Sequence, residues 1–126
     1  MIVWSSLGLV MLGSAVGGVC RYLLADLINH FVRGFPLGTL TINVVGSFMM
    51  GLCLVLVMHS SHRLLLETLL MVGLLGGFTT FSSFSLETLS LMKEGRILAV
   101  VIYVILSVMI SLQATFWGVK IMQWVL

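Results

Sequence analysis

Four hydroxyl side chains recur at intervals of four residues along the last apolar stretch of the sequence. They are Tyr103, Ser107, Ser111 and Thr115. On an α-helix this spacing places them on one face over roughly 18 Å. A single hydroxyl in an apolar helix normally bonds its own backbone, but a row of four indicates a face that meets water or an ion. The sequence therefore predicts an ion-lining face on this helix.

A second polar segment follows a glycine pair in the middle of another apolar stretch. Gly76 and Gly77 lie midway between Glu67 and Glu87, and five hydroxyl residues follow in the range 79–85. A helix interrupted in the bilayer leaves backbone groups that side chains, water or an ion can satisfy. The pattern therefore predicts a helix broken at its midpoint. A continuous helix whose hydroxyls bond the preceding turn stays the alternative.

Three phenylalanines, Phe78, Phe81 and Phe84, recur at every third residue through the same segment. Such rings usually face lipid or pack against neighbouring helices. The edge of a benzene ring is electropositive, however, so rings turned toward a pathway can favour an anion without binding it tightly. The nearby hydroxyls would then supply hydrogen-bond donors to the same ion.

Asn43 is a carboxamide inside a third apolar stretch, with Thr39 one turn before it. It is either a hydrogen-bonding contact between helices or an ion ligand. The acidic residues, in contrast, lie toward span ends or in loops; they are Asp26, Glu67, Glu87 and Glu94. Proton-coupled export of cations generally depends on a carboxylate within the membrane. The remaining donors favour a small anion as the ligand, and no arrangement typical of an enzyme is found.

The elements that hold these residues follow from the charge distribution. Of 126 residues, 60% are hydrophobic and 8% are charged, which excludes an ordinary cytosolic domain. The net charge is +2 and the sequence has no basic run, so it lacks the charge pattern of a nucleic-acid-binding protein. Uncharged stretches occupy residues 1–20, 37–58, 68–86 and 97–119, each roughly 30 Å long as a helix. We predict an all-α membrane protein, a single domain over 1–126 with four transmembrane helices at about 2–32, 37–59, 62–92 and 96–125.

The distribution of basic residues gives only a weak orientation bias. The side with both termini carries Arg63 and Lys120; the other side carries Arg33, Lys93 and Arg96, with Arg21 near its interface. So weak a bias permits insertion in both directions and an antiparallel homodimer, although one fixed orientation is the alternative. Four helices alone enclose little space, so a solute pathway is expected to need a second copy.

The sequence resembles the bacterial fluoride channels of the Fluc/CrcB family. The likeness extends over the whole chain and is carried by residues 17–22 (GGVCRY), 38–48 (GTLTINVVGSF) and 76–85 (GGFTTFSSFS). The resemblance implies a dual-topology homodimer in the bacterial inner membrane. It also implies two separate pores that passively export fluoride from the cytoplasm.

Site residues are implied by the same resemblance. Phe81 and Phe84 match rings whose edges line the pore, Asn43 matches a pore asparagine, and Arg21 matches a basic residue of the vestibule. A polar track on the last helix corresponds to Tyr103, Ser107, Ser111 and Thr115. Backbone carbonyls of Gly76 and Thr79 from both subunits would bind a central structural sodium ion. Phe78 stands where the family often has a smaller or aliphatic residue.

Two other functions remain alternatives. A small-multidrug-resistance-type, proton-coupled transporter is also a weakly oriented four-helix dimer. It needs a glutamate within helix one, where this chain has Ser14 and no acid before Asp26. A non-transporting membrane assembly subunit would use the polar rows only to bind a partner's helices.

Overall fold

The computed structural model describes residues 4–126 as a bundle of helices, with no strand in that range. The long helices are α1 (Trp4–Phe31), α2 (Leu37–His59) and α6 (Ile97–Val125), and a third span covers Arg63–Lys93. All four spans are long and apolar enough to cross a membrane. The prediction of an all-α membrane protein with four spans is confirmed. The predicted start of helix one near Ile2 lies outside the described residues.

The third span is built from several pieces. A short α3 (Arg63–Leu66) continues into a π-helix (Glu67–Leu75) and then α4 (Gly76–Phe78). Thr79 and Thr80 have extended backbone torsions, φ −78°, ψ 157° and φ −152°, ψ 122°. Helix α5 (Phe81–Lys93) follows. Gly76 itself is helical, with φ −63° and ψ −37°, so the chain leaves helical geometry after the glycine pair.

The threonines explain where the new helix begins. Thr80 is the N-cap of α5, and its Oγ1 accepts a hydrogen bond from the Ser83 backbone N–H at 3.2 Å. A threonine with extended backbone satisfies one of the donors that a helix start leaves free. The local sequence Thr-x-x-Ser thereby fixes the first turn of α5 and the direction of its side chains.

Helix α1 packs closely against the third span through glycines, a contact we call the seam. It is formed by Gly13, Gly17, Gly73 and Gly77. A Cβ on Gly13 would lie 2.7 Å from the Leu74 amide nitrogen, and a Cβ on Gly77 would lie 2.8 Å from Ser14 Cα. In lipid, helices associate by such close backbone approach. The seam fixes the first half of the third span.

Helices α2 and α6 approach each other in the same way. A Cβ on Gly51 would lie 2.9 Å from the Val119 nitrogen, and one on Gly118 would lie 3.1 Å from the Leu52 nitrogen. Thr115 Oγ1 donates to the Ser47 carbonyl across this contact at 3.1 Å. The polar row of α6 is therefore held at a fixed height against α2.

Short turns connect the spans. Gly34 and Gly95 have φ values of 91° and 73°, a conformation that only glycine adopts without strain. Because successive spans alternate in direction, these two turns lie at the same end of the bundle. We call this the glycine-turn end.

Candidate functional site

A groove of about 550 Å³ lies between α2, the segment around Thr79 and Thr80, and α6. Six of the seven residues predicted for the ion pathway line it, and so do both residues predicted to bind sodium. The lining residues among these are Asn43, Phe81, Phe84, Ser107, Ser111, Thr115, Gly76 and Thr79. Tyr103 and Arg21 lie outside the groove. No charged side chain of residues 4–126 lines it.

The hydroxyls predicted to share a face of α6 differ in their hydrogen bonds. Ser107 Oγ and Ser111 Oγ are inaccessible to solvent and have no partner within residues 4–126. Thr115 Oγ1 donates to the Ser47 and Ser111 carbonyls, at 3.1 and 3.2 Å. A buried hydroxyl without a partner is costly. The two serines therefore border the groove with hydroxyls that no group of the described residues satisfies.

Three aromatic rings in successive contact form a ring stack, in which Phe81 and Phe84 line the groove and Tyr103 lies beyond it. The ring centroids of Phe81 and Phe84 are 5.3 Å apart, and those of Phe84 and Tyr103 are 5.2 Å apart. Phe81 is 76% exposed, while Tyr103 is fully buried. Phe78 points elsewhere, and its ring packs against Gly46. The stack leads from the open side of the groove toward the protein interior.

The carboxamide of Asn43 makes two hydrogen bonds to the backbone of Thr80. Its Nδ2 donates to the Thr80 carbonyl at 2.9 Å, and its Oδ1 accepts from the Thr80 N–H at 2.8 Å. These bonds satisfy backbone groups that a continuous helix would have paired internally. Asn43 thus makes the predicted contact between helices, and it borders the groove as well.

Glu87 and Thr39 belong to the polar region but were not among the predicted site residues. Tyr103 Oη donates to one carboxylate oxygen of Glu87 at 2.7 Å, and Thr39 Oγ1 donates to the other at 2.8 Å. The sequence predicts only that Glu87 lies toward a span end or in a loop. The available signal was its position three residues after Phe84, because residues i and i+3 share a helix face.

Arg21 lies on α1 beside the interruption. Its Nη1 donates to the Thr79 carbonyl at 3.5 Å, and its side chain is partly buried. The guanidinium therefore stabilises a carbonyl that no helix bonds, and it places a positive charge behind the groove rather than in its lining.

The carbonyls of Gly76 and Thr79 have the chemistry that a sodium ion requires. Unwound backbone carbonyls in membrane helices are known ligands of Na⁺. The Thr80 N–H, which a continuous helix would donate to Gly76, donates to Asn43 instead. Gly76 is also exposed at the groove. The residues present fit such an ion.

Comparison with known proteins gives one consistent family. The family described as CrcB-like protein, Camphor Resistance (CrcB), matches residues 8–119. A relative from Paracoccus denitrificans (strain Pd 1222) is 43% identical over 112 residues, covering 89% of this chain and 90% of the relative. A relative from Geobacter metallireducens is 44% identical over 116 residues, covering 87% and 90%. A relative from Vibrio parahaemolyticus is 38% identical over 125 residues, covering 95% and 96%.

All three relatives carry the name Fluoride-specific ion channel FluC. Ion channels are not enzymes, so the prediction that this chain is no enzyme is confirmed by its relatives. The resemblance stated from residues 17–22, 38–48 and 76–85 is confirmed as well. With its four spans, this multi-pass membrane protein belongs to the CrcB-like family.

Proposed function

We propose that the protein is a passive, fluoride-selective channel. The observation that carries the proposal is the groove, which is lined both by Ser107 and Ser111 with their unpartnered hydroxyls and by the contacting rings of Phe81 and Phe84. The name that the relatives carry supports fluoride as the ion. The groove therefore combines weak donors with electropositive ring edges and lacks a carboxylate in its lining.

Fluoride suits this lining because the ion is small and strongly hydrated. A hydrogen bond to a charged group contributes roughly 1.5–3 kcal/mol, so several donors together can replace the lost water. A row of moderate sites also lets the ion leave again, which conduction requires. The neutral lining neither traps the anion by charge nor repels it.

A second, antiparallel copy of the chain would close the groove. Phe81 is 76% exposed and Gly76 is exposed beside it, so one subunit alone leaves the pathway open on one side. The weak bias in basic residues permits the two insertion directions that such a homodimer needs. By symmetry, the dimer contains two equivalent grooves and hence two pores.

The same dimer would bring together the Gly76 and Thr79 carbonyls of both subunits. A structural sodium ion held there adds positive charge at the centre and fixes the interrupted segments relative to each other. Located in the bacterial inner membrane, the channel would let fluoride leave the cytoplasm down its gradient. No proton or second ion is needed for that movement.

The test is a flux assay with purified protein in liposomes loaded with potassium fluoride. Valinomycin provides charge balance, and a fluoride electrode records efflux. We expect fast fluoride efflux, much slower chloride efflux from matched vesicles, and no dependence on a pH gradient. Light scattering of the same preparation should give the mass of two chains.

The two alternative functions predict different results in the same vesicles. Uptake of an organic cation driven by a proton gradient would establish a small-multidrug-resistance-type transporter. An absence of any flux, with a folded and monodisperse protein, would favour an assembly subunit. Either result contradicts the proposed channel.

A further inference from the structure

A smaller cavity of about 190 Å³ lies at the glycine-turn end of the bundle. It is bounded by the turn at residues 34–36 and by the end of the third span. We call it the outer cleft. Its polar and charged lining residues are Glu87, Ser90, Glu94 and Arg96.

The outer cleft is connected to the groove through three residues in direct contact. Phe84 lines the groove, and its ring centroid is 5.2 Å from that of Tyr103. Tyr103 Oη donates to Glu87 at 2.7 Å, and Glu87 lines the outer cleft. Phe84, Tyr103 and Glu87 therefore form the wall between the groove and the outer cleft.

Charge makes this cleft an unusual place for an anion to enter. Glu87 carries a carboxylate at its inner wall, and Glu94 carries another near its rim. Arg96 is the cation in the lining; its Nη1 is 3.3 Å from Glu94 Oε2, and its side chain is 41% exposed. An anion approaching Glu87 needs a nearby positive charge, and Arg96 supplies it.

We propose that the outer cleft is the aqueous mouth of the fluoride pathway and that Arg96 attracts the anion to it. The inference rests on the proposed fluoride channel. A cation beside an opening raises the local anion concentration and the entry rate. Glu94 opposes this effect, so the Glu94 and Arg96 pair sets the field at the mouth.

The chain contains a matched control for these charges. Arg63 and Glu67 form another surface ion pair, 3.8 Å apart with side chains 68% and 48% exposed. That pair lies at the start of the third span, and it lines neither the groove nor the outer cleft. Neutralising it changes the net charge equally, at residues that border neither opening.

The first experiment measures fluoride efflux at low and high ionic strength for single glutamine variants. At ~10 mM salt we expect Arg96→Gln to slow efflux about two- to threefold and Glu94→Gln to speed it by a similar factor, because screening there extends over ~30 Å. Both differences should vanish near ~1 M salt, where screening is complete within ~3 Å. Arg63→Gln and Glu67→Gln should match the unsubstituted chain.

The second experiment places charge of either sign in the cleft. Ser90→Cys, in a chain with Cys20→Ser and Cys53→Ala, is labelled with a negative sulfonate or a positive trimethylammonium methanethiosulfonate. Efflux after labelling is divided by efflux before it. We expect the negative adduct to slow efflux. The ratio for the positive adduct should be severalfold higher than the ratio for the negative one, whereas Ser61→Cys in the 60–62 turn should respond to neither.

The outcomes separate this inference from the proposed function. If the unsubstituted chain conducts no fluoride, the proposed channel fails. If it conducts and Arg96→Gln behaves like Arg63→Gln at low salt, the mouth proposal alone is overturned. Equal responses of Ser90→Cys to both signs of charge overturn it as well.

Discussion

The seam and the groove use the two halves of the third span in different ways. In the seam, the glycines of α1 and the third span bring two backbones together, and a Cβ on Gly13 would lie 2.5 Å from the Leu69 carbonyl. The groove is instead an open volume of about 550 Å³ between α2, the segment around Thr79 and Thr80, and α6. Two hydroxyls of the groove, those of Ser107 and Ser111, lack partners within residues 4–126, whereas Ser14 in the seam donates to the Gly73 carbonyl at 3.4 Å.

Small residues thus have two roles that sequence spacing alone does not separate. Where another backbone occupies the space above a glycine, the residue holds the fold. Where a small hydroxyl residue borders open volume without a partner, it is available to a ligand. Substitutions in the seam should therefore reduce stability, and substitutions in the groove should reduce flux in a protein that stays folded.

The largest effect is expected from Gly17→Ala in the seam. Its Cβ would meet the Leu74 carbonyl and lie 2.9 Å from the Phe78 nitrogen, both backbone atoms that cannot rotate away. Overpacking typically costs about 1–3 kcal/mol, so we expect a lower midpoint of thermal unfolding and little monodisperse protein. Gly18→Ala is the control, since nothing lies within 4 Å of its Cβ. Equal stability of both variants would contradict the seam.

Phe81→Ile and Phe84→Ile should each abolish fluoride efflux while leaving the oligomer intact. An aliphatic side chain fills similar space but has no electropositive edge for an anion. Efflux is measured in liposomes and the oligomer by size-exclusion chromatography. Phe116→Ile is the matched control, because Phe116 is 54% exposed on α6 and does not line the groove. Normal efflux in both variants would remove the rings from the mechanism.

Ser107→Ala and Ser111→Ala should each slow efflux about tenfold, because each removes one charge-assisted hydrogen bond. Stability should not fall, since neither hydroxyl has a partner within residues 4–126. Ser85→Ala is the comparison, because its hydroxyl donates to the Phe81 carbonyl at 2.9 Å and does not line the groove. Efflux from Ser85→Ala vesicles should stay at the unsubstituted rate; if all three variants slow equally, the distinction between partnered and unpartnered hydroxyls is wrong.

The smallest change in flux is expected for Asn43→Ala. This substitution should lower both the stability of the protein and the rate of efflux. Loss of the carboxamide leaves the Thr80 N–H and carbonyl without partners, which costs about 1–3 kcal/mol for each buried group. We expect a lower unfolding temperature together with a severalfold slower efflux. A normal rate combined with reduced stability would assign Asn43 to helix packing alone.

Much of the fold followed from where the sequence lacks charge. The stretch 37–58 predicted a helix at about 37–59, and α2 covers Leu37–His59. The position of the interruption was harder to predict from the sequence, because glycines permit non-helical torsions without requiring them. Gly76 stays helical, and the chain turns at Thr79 and Thr80, where Asn43 and Ser83 supply hydrogen bonds. The cap between Thr80 and Ser83 is local, but the contact with Asn43 comes from another span, and no sequence pattern indicated Thr80 as its partner.

The site was predicted unevenly for a related reason. Periodicity on one helix placed Ser107, Ser111 and Thr115 together, since their relation is local. It gave no information on which hydroxyls are already bonded, because the Ser47 carbonyl that Thr115 uses belongs to another helix. Glu87 was missed in the same way: its two donors, Tyr103 and Thr39, come from two other spans.

The short connections between the spans limit the ways in which the ion pathway can open and close. The segments between the spans contain five, three and three residues, at 32–36, 60–62 and 94–96. Lids that cover a binding site in other proteins are longer segments with room to swing on hinges. Ion flow through this protein can therefore be regulated by rotation of single side chains or by ion occupancy. The backbone conformation should be nearly the same with and without the bound anion.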